Sequence, residues 1–118
     1  METKKEKKTV IKLPHSREIA EFIYEIAIAC YGVKGFTRFD SMITGKYDPI
    51  SLEDIKKGIV VRKYGNGLFS VDMYMLIADG VKLTEALSEC QKVVRYRLNK
   101  KYNNQCRHVH IYAVSVVK

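Results

Sequence analysis

The spacing of hydrophobic positions changes several times along the chain, and each change predicts a different element. From Ser16 onward, apolar side chains recur every three or four positions, which predicts an amphipathic helix that ends before Gly32. A second helical pattern, from about Lys82 or Thr84 to Lys100, carries its acids early and its bases late, as the helix dipole favours. We therefore expect two amphipathic helices to cover one side of a sheet.

Alternation and β-branched runs predict the strands. The runs 59–64 and 68–78 flank Gly65-Asn66-Gly67, and an Asn-Gly between two such runs is a strong hairpin signal. Apolar and polar residues alternate in the second run, so one face of the sheet is expected to be buried and the other open. Further strands are predicted at residues 9–13, 33–40 and 109–117. The order of elements predicts an α+β two-layer sandwich, with a small, mostly antiparallel sheet, both helices on one face and a split-βαβ-like topology.

Chain length and the position of helix breakers set the expected domain organisation. A chain of 118 residues is enough for one domain, which we assign to residues 9–118. Residues 1–8 offer nothing apolar to bury and are predicted to be a disordered basic tail. Two glycines and a proline interrupt residues 41–58, where only the segment 51–57 predicts one or two helical turns.

The positive charge of the chain is concentrated in two places. The formal net charge is +8; residues 1–8 contribute four lysines and two glutamates, and residues 92–107 contribute six cations and no acid. The rest of the chain balances, with 11 cations against 11 acids (21 − 10 and 13 − 2). The six cations of the second segment are predicted to bind a partner and not to act in catalysis. They are Lys92, Arg95, Arg97, Lys100, Lys101 and Arg107.

Composition excludes several classes of protein. The chain has no apolar run near the roughly 18 residues of a membrane span, and no apolar segment after the charged start that would form a signal peptide. Its three cysteines, Cys30, Cys90 and Cys106, form neither an even disulfide set nor a C-x-x-C pair. We expect a cytoplasmic protein with reduced, inert thiols.

Signatures of catalysis and metal binding are sparse. The sequence has no glycine-rich phosphate loop, nucleophile elbow or H-E-x-x-H motif. His108 and His110 share a face of a predicted strand and would hold a metal only with a third ligand, from Asp72 or His15. Two histidines on an open sheet face explain the same pattern, so we expect no metal, no cofactor and no enzymatic activity.

Binding of nucleic acid is the alternative function. Gly32-Val33-Lys34-Gly35 follows an apolar helix, as the G-x-x-G clamp of a KH domain does, although the residues after it look extended rather than helical. The open sheet face would carry aromatic and imidazole rings on which bases stack, and the basic segment 92–107 would contact phosphates. The residues of this alternative face are Lys34, Tyr74, His110 and Tyr112.

Six short segments, taken in order, resemble segments of the alkaline shock protein family, also called the general stress protein family. Two occur at the first helix exit and the following strand: Ile28-Ala29-Cys30-Tyr31-Gly32-Val33-Lys34-Gly35-Phe36 and Lys57-Gly58-Ile59-Val60-Val61. Two more are Val71-Asp72-Met73-Tyr74-Met75 and Gly80-Val81-Lys82-Leu83-Thr84-Glu85-Ala86. The last two are Gln91-Lys92-Val93 and Val109-His110-Ile111-Tyr112-Ala113. The resemblance covers about residues 9–117, and Asp79 stands where the family has a tyrosine.

The resemblance implies a non-enzymatic protein. Members of that family are abundant, cytoplasmic and self-associating, and are linked to cell-envelope stress in low-GC Gram-positive bacteria and their wall-less relatives. They often sit at the membrane through a partner, and some are encoded beside a fatty acid kinase. The resemblance therefore implies a homo-oligomer that acts as a scaffold in the stress response, with a membrane-anchored or fatty-acid-kinase-like protein as partner.

Overall fold

The computed structural model describes residues 14–118, so the predicted tail (residues 1–8) and the first predicted strand (residues 9–13) lie outside the described residues. The helices are α1 (Ser16–Ala27), the short α2 (Ser41–Thr44), a 3-10 helix (Leu52–Lys57) and α3 (Leu83–Lys101). The strands are β1 (Val33–Phe36), β2 (Ile59–Lys63), β3 (Phe69–Ala78) and β4 (Cys106–Val117).

The two long helices and the hairpin form where the sequence pattern predicts them. The first helical residue of α1 is Ser16, where the apolar periodicity begins, and His15 occupies its N-cap position. The 3-10 helix accounts for the helical turns predicted between β1 and β2, with Ser51 at the N-cap and no hydrogen bond from its side chain. β4 begins at Cys106, three residues before the predicted start of the last strand.

β3 is the central strand of a four-stranded sheet. β4 pairs with it in parallel along its whole length, from the pair Phe69–Cys106 to the pair Ala78–Val117. β2 and β1 pair with it in antiparallel fashion, β2 with its first half and β1 with its second. Since β4 occupies one edge of β3 throughout, β2 and β1 lie end to end on the other edge. α3 joins β3 to β4, because parallel neighbours need a long crossover.

The hydrophobic core lies between one face of this sheet and the two long helices. Alternate residues of β3 point into the core, as the period of two predicts, and Phe69 and Met73 are fully buried there. α1 adds Ile19 and Ile23 to the same cluster, and α3 adds Leu98. Both helices therefore cover one face of the sheet, which confirms the predicted α+β two-layer fold. On the other face, side chains of β4 such as His108 and Tyr112 are exposed, whereas Ser70 and Leu76 of β3 are buried.

A bulge in β4 changes which residues share a face. The pairing with β3 shifts between Ala113 and Ser115. Beyond the shift, Val116 pairs with the core-facing Ile77, and Val117 therefore moves to the opposite face. Regular alternation along the predicted strand 109–117 places Val117 on the same face as Ala113, and the bulge makes this expectation wrong.

Candidate interaction surfaces

The six cations of residues 92–107 do not form a single surface. Lys92, Arg95 and Lys100 converge on a hollow beside the C-terminal half of α3. Arg97 and Lys101 point from the same helix toward α1. Arg107 lies on β4. The predicted partner-binding set is therefore divided into three groups, and only the first brings three of the cations to one hollow.

The hollow, which we call the basic hollow, has a volume of about 700 Å³. Positions three and four residues apart stack on one side of a helix, and this spacing brings its α3 residues together. Two asparagines in the turn after α3 complete the lining. Besides the three cations, the residues that line it are Tyr96, Asn99, Asn103 and Asn104.

The lining of the basic hollow carries positive charge and amide groups but no acid. Within residues 14–118, the ion pairs join other cations to acids, and none includes Lys92, Arg95 or Lys100. The Lys100 Nζ lies 5.6 Å from the centre of the Tyr96 ring and 3.5 Å from its hydroxyl oxygen. Tyr96 is nonetheless 64% exposed. The hollow is therefore a place where positive charge is concentrated and available to an anion.

The turn after α3 is held in a fixed conformation. Asn103 and Asn104 both have positive φ angles, 50° and 59°, a region that asparagine tolerates better than most residues. The backbone N–H of Asn104 donates to the Asn99 carbonyl oxygen. The Asn99 side-chain oxygen accepts from the Cys106 backbone N–H at 2.9 Å, so its amide nitrogen remains able to donate into the hollow.

Arg97 and Lys101 are used in packing the two helices together. The Lys101 Nζ lies 4.9 Å from the centre of the Phe22 ring, and the Arg97 guanidinium carbon lies 5.8 Å from it. Such cation–π contacts contribute about 0.5–1 kcal/mol at exposed sites. These two residues have a structural role at the α1–α3 contact, in addition to any role in binding a partner.

Arg107 belongs to the open face of the sheet, which we call the outer sheet face. Its guanidinium carbon lies 5.8 Å from the centre of the Tyr64 ring, and the Tyr64 hydroxyl lies 3.0 Å from the Ser70 Oγ. Beside them, the Arg62 guanidinium donates to the Asp72 carboxylate at 3.1 Å. The acid of this face is therefore neutralised by a neighbouring arginine.

The residues of the predicted nucleic-acid face are only partly brought together. Tyr74 and Tyr112 are cross-strand neighbours whose rings stack at 4.9 Å, and burial raises the pKa of Tyr74, with Asp72 adding to the effect. His110 stacks on His108 at 5.7 Å along β4. Lys34 lies on β1, at the shift in its pairing with β3. The rings therefore share the outer sheet face, and the structure adds Tyr64, His108 and Arg107 to them.

The outer edge of β4 has no strand partner among the described residues. The Val109 carbonyl oxygen accepts from the Gln91 side chain at 2.6 Å and so points away from β3, toward α3. Because peptide groups alternate in direction along a strand, Ile111 and Ala113 also direct their N–H and C=O groups outward. A groove of about 430 Å³ runs between this edge and α3, lined by residues that include Leu83, Leu87, Ile111 and Tyr112.

The segment between β1 and β2 exposes large apolar side chains. Met42 and Ile43, on the short helix α2, are 74% and 88% exposed. Neighbouring side chains of the same kind are Phe39, Tyr47 and Leu52. Contiguous apolar exposure of this kind marks contact surfaces in folded proteins. This apolar exposure was not predictable from the sequence, because glycines and a proline interrupt any hydrophobic periodicity in the segment.

Burial keeps two of the described thiols protonated, and the described imidazoles belong to no cluster of metal ligands. Burial raises the pKa of the Cys90 thiol to about 12, with the neighbouring Cys30 adding to the effect, and burial raises the pKa of Cys106 to about 11. Thiols that keep their protons are poor nucleophiles and metal ligands. Within residues 14–118, no group of three or more His, Cys, Asp or Glu side chains is placed to hold a metal ion.

The helices of residues 14–118 include no candidate for a membrane span. None of them is both long enough and apolar enough to cross a bilayer.

Comparison with known proteins finds one relative of unstated function. No protein-family model matches the chain, and no solved structure matches it. The chain is similar to the uncharacterized protein YloU of Bacillus subtilis (strain 168), with 28% identity over 90 residues, which cover 76% of this chain and 74% of YloU. That name states no activity, ligand or partner, so the resemblance to the alkaline shock family stays a prediction.

Proposed function

We propose that this chain is a non-enzymatic scaffold protein of the alkaline shock type, which associates with itself and binds a partner near the membrane. The observation that carries the proposal is the outer edge of β4. Along this edge of the 12-residue strand, the peptide groups of Ile111 and Ala113 point outward, away from β3. Exposed strand edges pair with other strands unless something blocks them.

Between its two bulges, and beyond the Val109 carbonyl that Gln91 of α3 contacts, β4 lacks the charged side chains and prolines that protect many strand edges. Natural edges are kept apart by charged side chains, prolines or short strands. Residues 108–117 contain no Asp, Glu, Lys, Arg or proline, and Val116 is 54% exposed. A second copy of the chain would offer the same edge, so two β4 strands related by a twofold axis would pair and satisfy each other's backbone groups.

Two further surfaces support the binding of other partners. The exposed side chains of Met42 and Ile43 would bury apolar area against a partner protein. The basic hollow is a separate site, which would attract an anionic ligand. By the family resemblance, the partner would be a membrane-anchored or fatty-acid-kinase-like protein, which would bring a cytoplasmic scaffold to the membrane without a span of its own.

Analytical ultracentrifugation over a concentration series tests self-association. We expect the wild type to sediment as a dimer or larger assembly at high concentration. Val116→Lys places a charge on β4 and is expected to weaken association at least tenfold. Val93→Lys is the matched control, since Val93 is an exposed valine of α3 (41% exposed, against 54% for Val116). It is expected to associate as the wild type does.

Either of two results would contradict the proposal. One is a wild-type protein that stays monomeric at millimolar concentration. The other is the reverse pattern of the variants, in which Val93→Lys prevents association and Val116→Lys does not, because the contact would then lie on α3. Circular dichroism of both variants shows whether each has folded.

A further inference from the structure

We propose that the basic hollow binds single-stranded nucleic acid, with its phosphates on Lys92, Arg95 and Lys100 and one base on the Tyr96 ring. This activity goes beyond the proposed self-association and does not depend on it, because the hollow lies on α3 and the turn after it, away from the outer edge of β4.

The spacing of the cations fits a short stretch of phosphate backbone. From Lys92 to Lys100 the helix advances about 12 Å, at 1.5 Å per residue. A stacked strand advances about 3.4 Å per nucleotide, so the cations extend along three to four phosphates. None of the three is paired with an acid in the described part of the chain. An incoming phosphate therefore displaces no protein carboxylate.

The uncharged groups of the hollow favour nucleic acid over an acidic protein. The Tyr96 ring is 64% exposed, and a base that stacks on a tyrosine gains about 1–3 kcal/mol. Asn103 and Asn104 offer amide groups that both donate and accept hydrogen bonds, and Asn99 offers its amide nitrogen as a donor. Base and sugar edges present the same mixture of donors and acceptors. A carboxylate partner only accepts hydrogen bonds. It would therefore give the asparagine oxygens no donor and the tyrosine ring no base to stack on.

The outer sheet face is less suited to the same ligand. Its tyrosines, Tyr74 and Tyr112, already stack on each other, so one face of each ring is occupied. Its arginine Arg62 is engaged with Asp72 and is therefore less available to a phosphate. Because contacts with phosphate supply most of the non-specific affinity for nucleic acid, the hollow with three unpaired cations is favoured.

Fluorescence anisotropy with a fluorescein-labelled 12-nucleotide polyuridine tests the proposal on the full chain. Three phosphate contacts on a single strand give a salt slope of about −2.1, so affinity is expected to fall about 18-fold between 50 mM and 200 mM salt. The variant Lys92→Glu/Arg95→Glu/Lys100→Glu is expected to lose at least 20-fold in affinity at 50 mM salt. A second variant with glutamine at the same positions covers the case in which the first does not fold.

A matched control separates the hollow from the net charge of the protein. Lys46→Glu/Lys56→Glu/Lys63→Glu makes the same change in charge at exposed lysines elsewhere and is expected to lose less than fivefold. Tyr96→Ala is expected to weaken binding by fivefold or more, whereas Tyr96→Phe keeps the ring and the affinity.

Three results would overturn the proposal. The first is equal loss in the hollow and control variants. The second is a decaglutamate peptide that binds as tightly as polyuridine, which would make the site one for acidic protein. The third is loss of binding in His110→Ala/Tyr112→Ala with none in Tyr96→Ala, which would move the ligand to the outer sheet face.

Discussion

Two buried thiols make the stability of this protein fall at alkaline pH. Burial raises the pKa of Cys90 from 9.0 to about 12 and that of Cys106 from 9.0 to about 11. Both pKa values are higher in the folded state, so the folded chain keeps protons that the unfolded chain has lost. The stability that these protonated thiols provide is complete below pH 9 and is lost as the pH rises toward the folded values.

The size of the effect follows from those pKa values. At pH 10.5 an unfolded thiol with a pKa of 9.0 is almost fully ionised, whereas Cys90 and Cys106 remain mostly protonated in the folded chain. Each thiol then lowers the free energy of unfolding by about 2 kcal/mol relative to pH 8. The two together give about 4 kcal/mol, a large part of the stability of a domain of this size.

Urea unfolding at pH 8 and pH 10.5 measures this loss. Between pH 8 and pH 10.5, the free energy of unfolding of Cys90→Ala/Cys106→Ala is expected to fall by about 4 kcal/mol less than that of the wild type. All other titrating groups are common to both proteins. Cys30→Ala is the control, because the partly exposed thiol of Cys30 is only a secondary cause of the shift at Cys90. The reasoning is refuted if the double variant loses as much stability as the wild type.

Three further changes test the packing, each by urea unfolding at pH 7. Gly58→Ala would place its Cβ 2.6 Å from a backbone carbonyl oxygen and is expected to cost about 2 kcal/mol or more, whereas Gly65→Ala, in open space, changes stability by less than about 0.5 kcal/mol. Phe69→Ala empties the centre of the core and is expected to cost about 3–5 kcal/mol. Tyr102→Phe removes a 3.0 Å hydrogen bond to Glu18 and is expected to cost about 1 kcal/mol.

Periodicity predicted most of the fold because local pattern and burial agree. The alternation in β3 places Met73 in the hydrophobic core and Asp72 on the opposite face, where Asp72 is also buried and pairs with Arg62. Hydrophobic periodicity does not show which strands pair with each other, so the end-to-end placement of β1 and β2 beside β3 was not predictable. The bulge near Ala113 depends on pairing with β3 in the same way, and it is the reason that Val117 changes face.

The sequence predicted the concentration of positive charge in residues 92–107. It did not predict which of these cations lie on the same surface. Residues two positions apart on a helix point in very different directions, so Arg95 and Arg97 separate even though they are close in sequence. The i, i+4 spacing groups Arg95 with Asn99 and Lys92 with Tyr96, and it would have drawn attention to Tyr96. Arg107 follows the turn after α3, and its place on the outer sheet face depends on the register of β4.

Hydrogen exchange of the β4 amides tests the central claim, self-association through this strand, most directly. The account predicts that the amides of Ile111 and Ala113 exchange more slowly as protein concentration rises. In Val116→Lys, their exchange should depend much less on concentration. The account is contradicted if the wild type associates while these two amides exchange at the same rate at every concentration.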